Sequence, residues 1–124
     1  RRRMTTLFSM LDYLGIERAR TRVEWVSAAE GVKFRVMAAP GHTAGSCLLF
    51  TDIGGEPSAF CGDVVFCMGI GRTDGFSGST RDMLDSLEKI AKLPGNYQLY
   101  PGHGSSTTLD YERANNQYLA RYSN

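Results

Sequence analysis

Only two histidines occur in these 124 residues, and each directly follows Pro-Gly at the end of a strand-like stretch: Ala39-Pro40-Gly41-His42 and Tyr100-Pro101-Gly102-His103. Proline cannot continue a hydrogen-bonded ladder and glycine tolerates φ > 0, so each tripeptide closes a strand and turns the next side chain out of the sheet. Strand termini are where clefts form in α/β proteins. A lone histidine is ordinarily a packed or surface residue. The repeated setting instead points to a fold in which a sheet delivers two imidazoles to strand ends.

The rest of the chain supplies such a sheet. Met4, Leu7, Phe8, Leu11 and Leu14 recur at helical spacing and predict an amphipathic helix over 4–14, ending near Gly15. Alternation over Arg22–Val26 and Val32–Met37 predicts two half-buried strands split by a turn near Glu30-Gly31, with Val32, Phe34 and Val36 on the apolar side and Lys33 and Arg35 opposite. Cys47–Phe50 reads as a buried strand and Ser58–Cys61 as its hairpin partner across a turn at 52–57. Residues 67–79 hold Gly69, Gly71, Gly75 and Gly78 and predict a loop long enough to line a site.

A helix capped by Ser79 or Thr80 follows, with Asp82 and Asp85 in its first turns and Met83, Leu84, Leu87, Ile90 and Ala91 as one stripe, stopped by Pro94-Gly95. Tyr97–Tyr100 is a last short strand. Thr107 or Thr108 caps a terminal helix, running to Asn124, with Tyr111, Ala114, Tyr118 and Leu119 on one face. The order α-β-β-β-β-α-β-α places the chain in the α/β (α+β) class, a mixed sheet flanked by helices, and its length allows a single domain.

Composition narrows the function. With 42% hydrophobic residues, 22% charged residues and a net charge of +1, the composition is that of an ordinary globular chain, and neither disorder nor a nucleic-acid partner is expected from it. Residues 1–35 carry eight Lys/Arg against four Asp/Glu and the remainder six against nine, which reads as a solvated helix face behind the Arg1–Arg3 start. No apolar run approaches the roughly 18–20 residues of a membrane span, and neither a transmembrane helix nor a secretory signal is expected. Cys47, Cys61 and Cys67 are odd in number and lack C-x-x-C spacing, so a disulfide framework or thiolate zinc knuckle is not expected. A reducing, cytoplasmic setting fits.

Asp63 lies between the apolar runs Ala59-Phe60-Cys61 and Val64-Val65-Phe66. A carboxylate buried there needs a cation, a hydrogen-bond network or solvent; a turn aspartate satisfying nearby N–H groups is the alternative. With His42 and His103 it makes a donor set of two imidazoles and one carboxylate, which suits zinc or non-haem iron.

These residues and their flanks resemble the C-terminal half of the metallo-β-lactamase superfamily, and within it the glyoxalase II-like hydrolases. His42-Thr43-Ala44-Gly45-Ser46 after Pro40-Gly41 is similar to the family's third metal motif, Gly62-Asp63-Val64-Val65-Phe66 to its fourth, and Pro101-Gly102-His103-Gly104 to its fifth. Gly71-Arg72-Thr73-Asp74 resembles a segment of the glyoxalase II-like and persulfide-dioxygenase branches, and Glu112–Leu119 the terminal helix of short bacterial members. The similarity runs from about Val32 to Leu119.

The resemblance implies an αββα sandwich with a dinuclear site: His42 on the first metal, His103 on the second, Asp63 bridging both and positioning a metal-bound hydroxide that attacks a thioester or related ester. Zinc is the expected cofactor, with iron possible. Arg72 and Asp74 read as a local ion pair or as groups shaping the site, and Cys67 as a small buried thiol or one close to the site.

The family's leading H-x-H-x-D-H motif does not occur in these residues. Residues 1–124 therefore read as one region, the C-terminal half of a metallo-β-lactamase-like domain: a fragment or split subunit, inactive alone, that needs the missing half or a partner chain. Only 21 residues follow His103, too few for the extra domain that binds glutathione in the longer glyoxalase II enzymes. A small thioester or ester is the expected substrate. An iron-dependent persulfide dioxygenase fragment, with His42 and Asp63 in a two-His-one-carboxylate set, and a non-catalytic pairing module are the alternatives.

Overall fold

The computed structural model describes residues 34–123. The expected helix over 4–14 and the strand over 22–26 lie outside them.

Strands β1 (Arg35–Ala38), β2 (Cys47–Ile53), β3 (Glu56–Gly62), β6 (Gln98–Pro101) and β7 (Thr107–Thr108) form one sheet in the order β1-β2-β3-β6-β7. A separate two-stranded ribbon pairs β4 (Val65–Phe66) with β5 (Gly69–Ile70). Helix α1 (Thr80–Ala91) connects ribbon to β6, and a short helix α2 (Leu109–Asn115) is followed by a 3₁₀ turn at Ala120–Tyr122. The mixed sheet with helices is the class expected from the sequence.

Direction matters more than order here. β1 is antiparallel to β2 and β2 to β3, so β1 and β3 point the same way; β3 pairs in parallel with β6. The carboxyl ends of β1, β3 and β6 therefore leave the sheet at one edge, and His42, Asp63 and His103 all lie just beyond those ends.

One sheet face carries Leu48, Phe50, Ala59, Cys61 and Leu99, all at most 4% exposed, which join Met83, Leu87 and Ile90 of α1 together with Leu109 and Leu119 in a single core. Ser79 caps α1 by accepting a hydrogen bond from the Asp82 N–H through its side chain (3.2 Å), as the sequence predicts. Cys61 lies in this core, its thiol directed at the Val65 carbonyl (3.3 Å), and burial pushes its pKa up to about 12.

Several sequence expectations are corrected. The turn of the β2–β3 hairpin is shorter than 52–57, because Ile53 still pairs with Glu56 and only Gly54-Gly55 lie between the strands. Within the expected loop at 67–79, Gly69-Ile70 is a strand. In β1 the apolar side is inverted: Phe34 and Val36 are 50% and 63% exposed, while Met37 packs on the core. Arg35 shares the inward side because its guanidinium lies over the Phe50 ring, 4.3 Å from the centroid. The terminal helix stops at Asn115, with Asn116 in extended backbone, and it buries Leu109 and Glu112 while Tyr111 is 49% exposed. Its inward face is partly polar, a choice that periodicity does not reveal.

Leu87 has no exposed surface, so Leu87→Ala should cost about 2–5 kcal/mol by cavity formation, read by denaturant unfolding. Native-state alkylation at pH 8 should modify the exposed Cys67 rapidly and leave Cys61 untouched until unfolding, since a thiol pushed to about 12 carries almost no thiolate there.

Candidate metal centre

His42 sits on the turn between β1 and β2, which α1 grips from below. The Ser79 N–H donates to the Gly41 carbonyl (2.8 Å), and the Ser86 hydroxyl to the Pro40 carbonyl (2.7 Å). A Cβ on Gly41 would stand 2.5 Å from the Met83 Cα, and its φ of +147° suits glycine, as the Pro-Gly-His pattern implies. The second Pro-Gly works differently. Gly102 is not among the residues with positive φ; what it supplies is room, because a Cβ there would fall 2.4 Å from Asp63 Oδ1.

The His42 ring is oriented by a residue whose side chain is not involved. Its Nδ1 lies 2.9 Å from the Arg72 carbonyl oxygen, and a carbonyl only accepts, so Nδ1 carries the hydrogen and Nε2 keeps its lone pair in the neutral ring. That Nε2 faces Asp63 Oδ2 at 3.4 Å. Gly71 allows the approach, since a Cβ on it would lie 1.8 Å from the Asp63 carbonyl oxygen and 3.3 Å from the His42 ring.

Asp63 follows the last residue of β3, where Gly62 pairs with Pro101 and the Gly102 N–H donates to the Gly62 carbonyl (2.7 Å). The parallel pair thus sets Asp63 beside His103, whose Nδ1–H donates to Asp63 Oδ1 at 2.8 Å. The Phe66 ring meets the His103 ring edge-on, with centroids 6.0 Å apart. His42 and Asp63 are each about a quarter exposed, and His103 is 75% exposed. The structure therefore brings all three predicted residues together, with each carboxylate oxygen of Asp63 facing a different imidazole.

Two ligands roughly 2.0–2.1 Å from one ion at a tetrahedral angle stand about 3.3–3.4 Å apart. The His42–Asp63 separation of 3.4 Å fits that spacing, and Nε2 is the nitrogen with the free lone pair. On the other side Nδ1 and Oδ1 bond directly, so the remaining ring nitrogen of His103, Nε2, faces away from Asp63. Among the described residues no three His, Cys, Asp or Glu side chains converge on one point as a metal site by themselves.

Arg72 and Asp74 form a fully solvated ion pair, Nε to Oδ1 2.7 Å, with side chains 70% and 76% exposed. The Arg72 hydrogen bond holds the Asp74 carboxyl below its usual range. The contribution of Arg72 to the site is its carbonyl, for which a sequence offers no signal. Cys67 is exposed at the ribbon tip, so the reading of a buried thiol does not hold.

Residues 16–103 match the metallo-beta-lactamase superfamily. Among curated relatives, hydroxyacylglutathione hydrolase of Cupriavidus metallidurans is 44% identical over 85 residues, covering 68% of this chain and 29% of the relative. Two solved structures superpose well. ETHE1 from Myxococcus xanthus has a TM-score of 0.65 at 33% identity, over 74% of this chain and 42% of that one. TTHA1623 in a di-iron-bound form has a TM-score of 0.64 at 27% identity, over 89% and 56%. The chain thus spans less than a third of this curated relative.

Gly102→Ala should break the His103–Asp63 hydrogen bond while leaving the sheet intact. The expected outcome is a change in the His103 ring nitrogen resonances without loss of the β2 and β3 amide pattern.

Proposed function

The chain belongs to the metallo-beta-lactamase superfamily, and from that premise we propose that it supplies some of the active-site residues of a metal-dependent hydrolase cleaving small thioesters of the hydroxyacylglutathione kind. The observation that carries this reading is the division of the Asp63 oxygens between the imidazoles of His42 and His103. The relative named hydroxyacylglutathione hydrolase supports the substrate class.

In this reading His42 and Asp63 would hold one ion and Asp63 and His103 a second, which requires the His103 ring to give up its direct hydrogen bond to Asp63, with zinc the proposed metal. When bound, such ions supply a Lewis acid for the substrate carbonyl and a water acidified toward neutral pH. The chain's own residues orient and bind. The Arg72 carbonyl keeps the His42 lone pair aimed inward, and Asp63, about a quarter exposed, accepts a hydrogen bond from the attacking water and holds it in line. The remaining ligands are proposed to come from an H-x-H-x-D-H segment, which these 124 residues do not contain, carried elsewhere in the polypeptide or on a partner chain.

The sheet face away from the core supports that proposal. Val36, Leu49, Phe60 and Tyr100 are in register across four strands, and Val36, Phe60 and Tyr100 are 63%, 39% and 36% exposed. Phe34 lies 6.5 Å from Phe60, ring to ring, and Tyr100 stacks on Phe60 at 5.4 Å. An apolar row of this kind is what a second sheet covers in a sandwich. We place the enzyme in the cytoplasm, a setting that three free thiols suit; among the described residues no helix is long and apolar enough to cross a membrane. The di-iron-bound form of TTHA1623 supports iron as the competing metal.

Calorimetric titration of zinc should show binding to this chain that is lost in His42→Ala, Asp63→Ala and His103→Ala. The protein completed with its H-x-H-x-D-H segment and loaded with zinc should cleave acyl-thioesters. Absence of any cleavage above background overturns the hydrolase reading. Near-stoichiometric iron in protein made without added metal, with oxygen uptake in place of hydrolysis, assigns the dioxygenase instead.

A further inference from the structure

Behind the site lies a polar group that the proposed reaction does not use. Glu112 and Asn116 are wholly buried and Thr107 is 8% exposed. A buried carboxylate is costly unless its oxygens are bonded, and those of Glu112 are. Oε1 accepts from the Thr107 hydroxyl at 2.6 Å; Oε2 accepts from the Asn116 side-chain amide at 2.8 Å and from the Met68 backbone N–H at 2.9 Å. The Asn116 amide also donates to the Gly69 carbonyl at 3.1 Å.

Both ribbon contacts fall where β4 turns into β5, and Met68 there has a φ of +62°, the one non-glycine residue at positive φ among the described residues. Such a conformation is strained for a side chain with a Cβ and persists only when its surroundings enforce it. At that residue the backbone N–H is held by the buried Glu112 acceptor.

The ribbon reaches all three site residues. Asp63 lies two positions before β4; Arg72, whose carbonyl orients His42, lies two positions after β5; Phe66 of β4 rests edge-on against His103. We infer that Glu112 is a positioning residue for the site, fixing through Met68 and Asn116 the ribbon conformation that holds His42, Asp63 and His103 together. The inference rests on the proposed function only in treating that cluster as a metal centre.

Its test needs no metal. Glutamine at 112 can keep its oxygen on the Met68 and Asn116 donors and turn its amide to the Thr107 hydroxyl, which then accepts; alanine removes both acceptors. In the ¹⁵N-labelled chain, where two histidines make ring assignment direct, Glu112→Gln should leave the His103 ring resonances as in the wild type. Glu112→Ala should shift them, and the Met68 amide should lose at least about tenfold in exchange protection, while β2 and β3 amides stay unchanged. Zinc affinity, where the wild-type chain binds zinc, should fall by roughly 10–100-fold in Glu112→Ala and be restored in Glu112→Gln.

Thr107→Val, which keeps side-chain volume and removes one donor, should move the same ring resonances by less; it decides the matter if Glu112→Ala does not fold. His103 resonances unmoved in folded Glu112→Ala, or unmoved in Thr107→Val when Glu112→Ala does not fold, overturn the inference. So does an equal shift in Glu112→Gln and Glu112→Ala. Zinc binding and thioester cleavage decide the functional reading separately.

Discussion

Parallel pairing of β3 with β6 brings together two strand ends whose following side chains, Asp63 and His103, are 40 residues apart in sequence. Antiparallel neighbours would have sent those ends to opposite edges. Because β1 points the same way, with β2 between it and β3, the turn that carries His42 emerges at that edge as well. The site is thus a product of strand direction first and of side-chain choice second. Crowding enforces the closeness: at Gly71 and Gly102 any Cβ would collide with Asp63.

Once the three residues meet, hydrogen bonding decides what they can do. The Arg72 carbonyl selects the His42 tautomer, and the direct bond from His103 Nδ1 to Asp63 Oδ1 fixes the second ring. Neither ring is held by packing alone. The buried group at Glu112 and Asn116 acts in the same way on the backbone behind them, since the β4–β5 ribbon has only two residues per strand and a strained tip. A ribbon that short does not hold its own shape in water.

How much of this is legible in the sequence follows the physics of each signal. His42, Asp63 and His103 are legible because two Pro-Gly-His repeats and an isolated carboxylate between apolar runs are local patterns with a chemical meaning. Helix α1 is legible for the same reason, with a cap, an apolar stripe and a Pro-Gly stop. The ribbon is not, because two-residue strands have no periodicity. The inward face of α2 escapes a sequence reading because glutamate and asparagine on a helix ordinarily face water, and only the ribbon's unsatisfied backbone groups draw them inside. The inverted side of β1 has a related cause, since alternation shows that two sides differ and not which one the core takes.

The parallel crossover also governs when the site comes into being. Closing β3 on β6 means ordering the ribbon, the loop and α1 in between, so its entropy cost falls due before the contact returns anything. The β2–β3 hairpin, joined by two glycines, needs only a two-residue loop to close. The carboxylate meets the His103 imidazole only when that long loop closes. The geometry of His42, Asp63 and His103 at this edge is therefore a reporter of the closed crossover, and an ion captured there would hold that long-range contact in place.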